Sequence, residues 1–230
     1  MNTISRAWHL TESVEKLKVQ LCDKDISRAE AAAHFVQEGL LNGEAVIVLA
    51  RRALRQMVIS RIESLGLDVQ AMKGTGQIRF VDAQLLLSCL QVNDVLEEYS
   101  FQEHIVTTLQ SAQSKFGKVR IFCGMIDTVW KEPQSTTAIQ LESLWVRLAQ
   151  IHEFSLLCSY SLDGLDSAVF EASWEQFCER HAHLGSCIPS EIAAGTAAHE
   201  ILESTWNRIT EKLAVSSQLP GETTQPASLN

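Results

Sequence analysis

The segment Gly124 to Trp130, GMIDTVW, carries the residues best placed to do chemistry in this chain. It follows Val119 to Cys123, a short apolar run typical of a strand buried on both faces of a parallel sheet. Open α/β sheets bind ligands at the carboxyl ends of such strands. We therefore predict a small-molecule site whose candidate residues include Gly124, Met125, Asp127 and Trp130. The alternative is an ordinary junction, with Asp127 capping a helix and Trp130 in the core.

Three more polar residues are expected at the same edge of the sheet. His9 lies in the alternating segment Arg6 to Thr11, which we predict to be the first strand, and Glu12 follows it. Asp82 ends another strand-like segment. Asp82 could bind a cation, or it could cap the next helix. His9 could contact a ligand, or it could be a strand histidine whose hydrogen bonds are satisfied within the protein.

The chain has no glycine-rich phosphate loop, because the pattern G-x-x-x-x-G-K-[ST] does not occur in it. Neither the backbone cradle nor the phosphate-reaching lysine is therefore encoded. No Ser/His/Asp set at motif spacing is present, nor are paired carboxylates in a recognisable context. We predict a protein that is not an enzyme and needs no cofactor.

The one pattern that is similar to a metal site is C-x2-H-x-H-x3-C, formed by Cys178, His181, His183 and Cys187. Zinc sites use these donors, usually as two separated pairs, so a polar turn after a helix is the alternative and we assign no metal. The six cysteines include no C-x-x-C pair. We expect them to be reduced and mostly structural.

Composition excludes several classes of partner. The formal charge of −9 argues against direct nucleic-acid binding, since such surfaces are basic. No apolar run approaches the ~20 residues of a membrane span, and the N-terminus lacks the pattern of a signal peptide. We expect a cytoplasmic protein without a membrane partner. Its hydrophobic fraction of 46% is ample for a core.

Helix and strand patterns alternate along the chain, as in the βαβ units of a parallel sheet. Helical spacing runs from Val14 to Leu41 with an interruption at Asp23 to Ser27, where Ser27 and Glu30 form the capping box of a restarted helix. The other expected strands are Ala45 to Ala50, Ile78 to Val81 and Phe154 to Tyr160.

The remaining helices complete an α/β fold of three layers, a mostly parallel sheet with helices on both faces. A second capping box, Ser100 with Glu103, is expected to start one of them. The expected helices are Ala53 to Leu65, Ser100 to Lys115, Thr137 to Ile151 and Phe170 to His181.

The C-terminal part is expected to differ from the domain of residues 1–189. Residues 190–214 have the pattern of one amphipathic helix, and residues 215–230 are a polar tail that we expect to be disordered. The helix is the candidate surface for a partner or a homodimer, through Leu202, Trp206, Ile209 and Leu213. Packing back on its own domain is the alternative.

Six segments, in their order and spacing, resemble the MEDS family, the methanogen/methylotroph DcmR-type sensory domain. They are His9-Leu10, FVQEGLLNGEAVIVLA, IRFVDA, IFCGMIDTVW, LESLWVRL and FSLLCSY, within residues 6–188. The resemblance implies a degenerate RecA/KaiC-like fold without the Walker A loop. It also implies a sensory or regulatory role.

Two segments differ from the family pattern. Cys123-Gly124 stands where family members commonly carry Gly-Glu, so an acidic group is absent from the expected pocket. The closing segment His181 to Pro189, HAHLGSCIP, is longer than the common H-S-H-V-I-P. The resemblance therefore implies that the His181/His183 pair belongs to the family pattern, which weakens the interpretation as a zinc site.

The expected function is that of a non-catalytic sensory domain. It would bind a small molecule or a partner protein and relay the signal to a separate histidine kinase or transcriptional regulator. The alternatives are a RecA/KaiC-type ATPase with a non-standard phosphate loop and a scaffold without a ligand.

Overall fold

The structure, a computed structural model, describes residues 17–22, 24–92, 95–130 and 136–161. Five strands form one sheet in which every neighbouring pair is parallel, in the order β1-β7-β6-β2-β3. They are β1 (Leu17–Cys22), β2 (Ala45–Ala50), β3 (Ile78–Asp82), β6 (Val119–Cys123) and β7 (Ser155–Ser161). Two short strands, β4 (Gln91–Val92) and β5 (Val95–Leu96), form a separate antiparallel pair.

Helices connect the parallel strands. They are α1 (Asp25–Leu41), α2 (Arg52–Ser64), α3 (Val69–Thr75), α4 (Ala83–Leu90), α5 (Glu98–Phe101), α6 (Thr107–Phe116), α7 (Asp127–Trp130) and α8 (Thr136–Ile151). A π-helical turn, Gln102–Val106, joins α5 to α6. Such turns are rare and often lie at functional sites.

Strand β2 shows why the sheet has helices on both faces, since all six of its residues are buried. Its alternate residues Ala45, Ile47 and Leu49 face a core built with α4, α5, α6 and α8. Val46, Val48 and Ala50 face a second core built with α1 and α2. A strand buried on both faces cannot show polar alternation, which explains its continuous apolar sequence. The three-layer α/β fold predicted from the sequence is confirmed.

The predicted helix over Val14 to Leu41 is wrong at its start, because Leu17–Cys22 is strand β1. This strand pairs with β7 over its full length, from Leu17 beside Leu156 to Cys22 beside Ser161. Apolar Leu17, Val19 and Leu21 alternate with polar Lys18 and Gln20, which is the period of two of a strand. The helical spacing of the long following segment also extends over these residues, so the sequence predicts a helix where the strand lies. The predicted strand Arg6 to Thr11 lies outside the described residues.

Both predicted capping boxes are wrong. Helix α1 begins at Asp25 with Lys24 at the N-cap, so Ser27 lies inside its first turn. Helix α5 begins at Glu98, two residues before Ser100. In contrast, Asp82 does cap a helix, because its Oδ1 accepts hydrogen bonds from the backbone N–H groups of Gln84 and Leu85 at 3.0 and 3.2 Å.

The expected helices Phe170 to His181 and Ser190 to Ala214, like the tail, lie outside the described residues. Among the helices in the described ranges, none combines the length and the apolar character that a membrane crossing requires.

Candidate functional site

The carboxyl ends of β2, β6 and β7 lie side by side and form one edge of the sheet. In the register of the strands, Leu49 lies beside Cys123, and Cys123 lies beside Cys158. The chain leaves β6 through Gly124 and enters the short helix α7 at Asp127. The predicted site segment therefore does lie at the edge where open α/β sheets bind ligands.

A buried ion pair occupies this edge. Arg28, in the first turns of α1, donates through Nη1 to Oδ2 of Asp127 at 2.8 Å. Arg28 is 0% exposed and Asp127 is 2% exposed. The other carboxylate oxygen of Asp127 accepts the backbone N–H of Ser161 at 2.7 Å. Both oxygens of Asp127 are thus bonded within the protein.

Arg28 also bonds to its own helix and to β7. Its Nη1 donates to Oδ1 of Asp25 at 2.9 Å. Its Nη2 donates to the carbonyl oxygen of Ser159 at 3.3 Å, and its Nε donates to the Ser159 hydroxyl at 3.4 Å. A guanidinium presents five donors in a fixed plane, so this one side chain ties α1, α7 and β7 together.

Arg51, which follows β2, forms the solvent-exposed side of this set of ion pairs. Its Nη2 lies 3.7 Å from Oδ2 of Asp25 and 3.7 Å from Oδ2 of Asp127, and its side chain is 38% exposed. We call Asp25, Arg28, Arg51 and Asp127 the edge cluster. Two guanidinium groups and two carboxylates make it formally neutral. Arg51 is its only half-exposed cation.

Gly124 makes room for the edge cluster. Its backbone N–H donates to the carbonyl oxygen of Leu49 at 2.8 Å, which holds the chain close to β2. A Cβ atom at this position would lie 3.2 Å from Nη2 of Arg28 and 3.3 Å from Cδ2 of Leu54. Such contacts are tighter than ordinary packing, so any larger residue here would have to displace Arg28 or Leu54 by a few tenths of an ångström.

The structure brings some of the predicted site residues together and separates others. Gly124, Met125 and Asp127 are all buried in the connection from β6 to α7; Asp127 belongs to the edge cluster and Gly124 lies against Arg28, whereas Met125 packs in the core shared with α8. Asp82 ends β3, two strands from β6, where it pairs with Arg55 and caps α4. Trp130 ends α7, but its side chain, like all of His9 and Glu12, lies outside the described part.

Sequence reasoning missed Arg28, Asp25 and Arg51. One signal for Arg28 was present, since it lies four residues before Ala32 on the stripe of α1 that also contains Phe35. A charged residue on a buried stripe requires a partner. That partner, Asp127, is 99 positions away, so its identity was not readable from local spacing.

Behind the edge, on the α8 side of the sheet, lies a second polar group. The hydroxyl of Tyr160 donates to a carboxylate oxygen of Glu142 on α8. Burial, with the nearby charge of Glu142, raises the pKa of Tyr160 well above its ordinary value. A hydrogen bond with Cys123 and burial likewise raise the pKa of the Cys158 thiol. Both groups therefore stay protonated at neutral pH, and Cys158 is no nucleophile there.

No cluster of three or more His, Cys, Asp or Glu residues within the described ranges is arranged to hold a metal ion. The four residues of the C-x2-H-x-H-x3-C pattern, Cys178 to Cys187, lie outside those ranges.

Comparison with known families gives one match. The model of the family described as MEDS, the MEthanogen/methylotroph, DcmR Sensory domain, matches residues 19–182. Comparison with curated proteins found no match. The matched residues include every described strand except the first two residues of β1, and they include the whole edge cluster. The chain therefore belongs to the MEDS family of sensory domains.

Proposed function

We propose that this chain is a non-catalytic sensory module that recognises a small molecule or a partner protein. It passes the result to a separate histidine kinase or transcriptional regulator. Membership of a sensory family supports the sensory part of the proposal. The edge cluster supports the non-catalytic part and is the observation that carries it.

The charges at this edge of the sheet disfavour a phosphate site. A phosphate group is bound by free backbone N–H groups, usually at a helix N-terminus, and by a cation. Here the first turn of α1 places Asp25 beside Arg28, and Asp127 reaches the same guanidinium from α7. A phosphate approaching Arg28 would meet two carboxylates that already neutralise it. Nucleotide binding at this edge would require breaking a buried ion pair, which is costly.

The edge cluster also gives a route for a signal. It joins α1 to α7 and β7, and Arg51 extends it to the end of β2 and to solvent. Any ligand that displaces α7 must therefore rearrange contacts of α1. Two arrangements of such a group would be a bistable element of the kind that relays binding.

Nucleotide binding and hydrolysis test the proposal. We expect that ATP and GTP, with Mg²⁺, neither bind at micromolar concentrations by isothermal titration calorimetry nor are hydrolysed. Native mass spectrometry of the purified full chain is expected to reveal a co-purifying small molecule or a second protein.

The contrary result is magnesium-dependent turnover that disappears in Asp82→Ala. The matched control is Asp68→Ala, because Asp68 also caps a helix, α3, by accepting the N–H of Ala71 at 2.9 Å. A turnover lost in the first variant and kept in the second would establish an ATPase and refute the proposal.

A further inference from the structure

A cavity of about 160 Å³ lies on the face of the sheet that packs against α4 and α8. It is distinct from the edge cluster, because no member of that cluster lines it. Most of its wall is aliphatic and comes from β2, β3, β6, α4 and the π-helical turn: Ile47, Leu49, Val81, Leu86, Ile105 and Ile121. The polar side chains of Arg79, His104 and Thr108 also line it. Ligand sites are typically apolar clefts of this kind with a few fixed polar groups.

Trp145 of α8 supplies one such polar group. It lines the cavity, it is 1% exposed, and its Nε1 has no hydrogen-bond partner within the described residues. Buried N–H donors in proteins are nearly always paired, so an unpaired one requires an explanation. The indole is held by edge contacts with the rings of Phe101 and Phe154, at centroid distances of 5.2 and 6.3 Å. Its donor is therefore fixed in place.

The π-helical turn forms another part of the wall through His104 and Ile105. Two polar groups of His104 bond within the helix. The Thr108 hydroxyl donates to the carbonyl oxygen of His104 at 2.8 Å, and Nδ1 of His104 lies 2.9 Å from the carbonyl oxygen of Ser100. Such turns frequently lie at functional sites, so the presence of one in this wall supports a functional role for the cavity.

Size and polarity restrict what the cavity can hold. An engineered cavity of about 150 Å³ with an aliphatic and aromatic lining binds benzene, so this one has room for roughly six or seven non-hydrogen atoms. The lining includes the polar side chains of Arg79, His104 and Thr108, but most of it is aliphatic, so an occupant must be mostly apolar. A cationic ligand would meet the guanidinium of Arg79 and would lose its hydration without a compensating partner.

We infer that this cavity binds a compact, mostly apolar molecule with one hydrogen-bond acceptor, which accepts the Nε1–H of Trp145. The inference rests on the proposed sensory function and names its small-molecule site and ligand class. Binding would press on the π-helical turn, so the turn between α5 and α6 is the element that responds.

The test uses two probes of equal size, cyclohexanone, which has an acceptor, and methylcyclohexane, which has none. Titrations of the full chain are followed by NMR, with the indole N–H signal of Trp145 assigned by its loss in Trp145→Phe. We expect cyclohexanone to bind more tightly and to shift that signal downfield. Trp145→Phe should weaken cyclohexanone binding about tenfold, the effect of one buried hydrogen bond, and leave methylcyclohexane binding unchanged.

A matched pair of variants locates the site. Leu86 lines the cavity, whereas its neighbour Leu85 is 67% exposed and does not. Leu86→Trp should fill the cavity and abolish binding of both probes, and Leu85→Trp should leave binding intact. Circular dichroism and thermal melting identify any misfolded variant, and Ile105→Phe, which fills the cavity from the π turn, then takes its place.

Three results would overturn the inference. The first is absence of binding of either probe at millimolar concentration. The second is binding that survives both filling variants, which would place the ligand elsewhere and leave the sensory proposal intact. The third is a Trp145 indole N–H that is already protected and shifted downfield in the free protein, because its acceptor would then come from the chain itself. Magnesium-dependent ATP turnover, by contrast, refutes the sensory proposal and not the cavity.

Discussion

Nη1 of Arg28 and Oδ2 of Asp127 lie 2.8 Å apart, although 99 positions separate the two residues in the sequence. Each is almost fully excluded from solvent. The pair joins α1 to α7 at the edge of the sheet, so one charged contact helps to fix the positions of both helices relative to the strands. The energetic cost of burying two charges is offset only while both are present.

Removing one partner should therefore be far more damaging than removing both. Arg28→Met leaves the buried Asp127 with only the longer contact to the half-exposed Arg51, at 3.7 Å, and we expect a loss of up to about 3–5 kcal/mol in the free energy of unfolding. In Arg28→Met/Asp127→Asn, the amide oxygen still accepts the Ser161 N–H, and most of that stability should return. Urea unfolding of the two variants and the parent measures the difference.

The control is Arg61→Met. Arg61 forms an exposed pair with Glu30 at 3.4 Å, and exposed pairs contribute only about 0–1 kcal/mol. If Arg28→Met lowers the free energy of unfolding no more than Arg61→Met does, the edge cluster does not hold α1, α7 and β7 together.

Gly124 offers a steric test of the same cluster. In Gly124→Ala the new Cβ would lie 3.2 Å from Nη2 of Arg28 and 3.3 Å from Cδ2 of Leu54. We expect a destabilisation of about 1–3 kcal/mol, because a guanidinium held by Asp127 and a fully buried leucine have little room to move. Thermal and urea unfolding measure it.

Gly74→Ala is the matched control. Gly74 lies inside α3, and a Cβ there would meet nothing within 4 Å. Alanine is the better helix former, so we expect a gain of about 0.5–1 kcal/mol. Equal destabilisation by the two substitutions would contradict the packing described for Gly124.

The buried strands were predictable because a strand that is buried on both faces consists mostly of apolar residues. Ala45–Ala50 is a continuous apolar run and Val119–Cys123 is apolar except for Arg120, and their parallel pairing follows from the helices between them. Because open α/β sheets bind ligands at the carboxyl ends of their strands, the end of β6 was also predictable as the place of the candidate site.

Other features depend on contacts between distant parts of the chain. Leu17–Cys22 is short, and only its pairing with β7 makes it a strand. The sequence predicts Asp127 to be a helix cap or a ligand contact, because nothing in its local sequence identifies Arg28 as its partner. The π-helical turn inserts one residue into a helix whose apolar spacing reads as regular.

The C-terminal segment provides a prediction about assembly that rests on sequence alone. Residues 190–214 carry an apolar seam, Leu202, Trp206, Ile209 and Leu213, and each such side chain gains about 1.5–3 kcal/mol on burial. We propose that the seam forms a symmetric homodimer. The change Leu202→Asp/Ile209→Asp should then yield a folded monomer by sedimentation. An unmodified protein that sediments as a monomer at tens of micromolar would exclude the dimer.

Tyr160 should make the protein sensitive to alkali. Burial raises its pKa above the ordinary value of 10.0 in the folded state, whereas the unfolded chain ionises near that value. As the pH rises through about 10, the unfolded state therefore loses a proton that the folded state keeps. Stability should fall by about 1.4 kcal/mol per pH unit in that range.

Tyr160→Phe removes the ionisable hydroxyl and its hydrogen bond to Glu142. We expect this variant to be less stable at pH 8 by about 1 kcal/mol, the net value of one hydrogen bond, yet to lose stability less steeply above pH 10. The matched control is Tyr99→Phe, since Tyr99 is the chain's other tyrosine and is 76% exposed. Urea unfolding between pH 8 and pH 11 measures all three proteins. If Tyr160→Phe keeps the slope of the parent above pH 10, the buried phenol is not the group that limits stability in alkali.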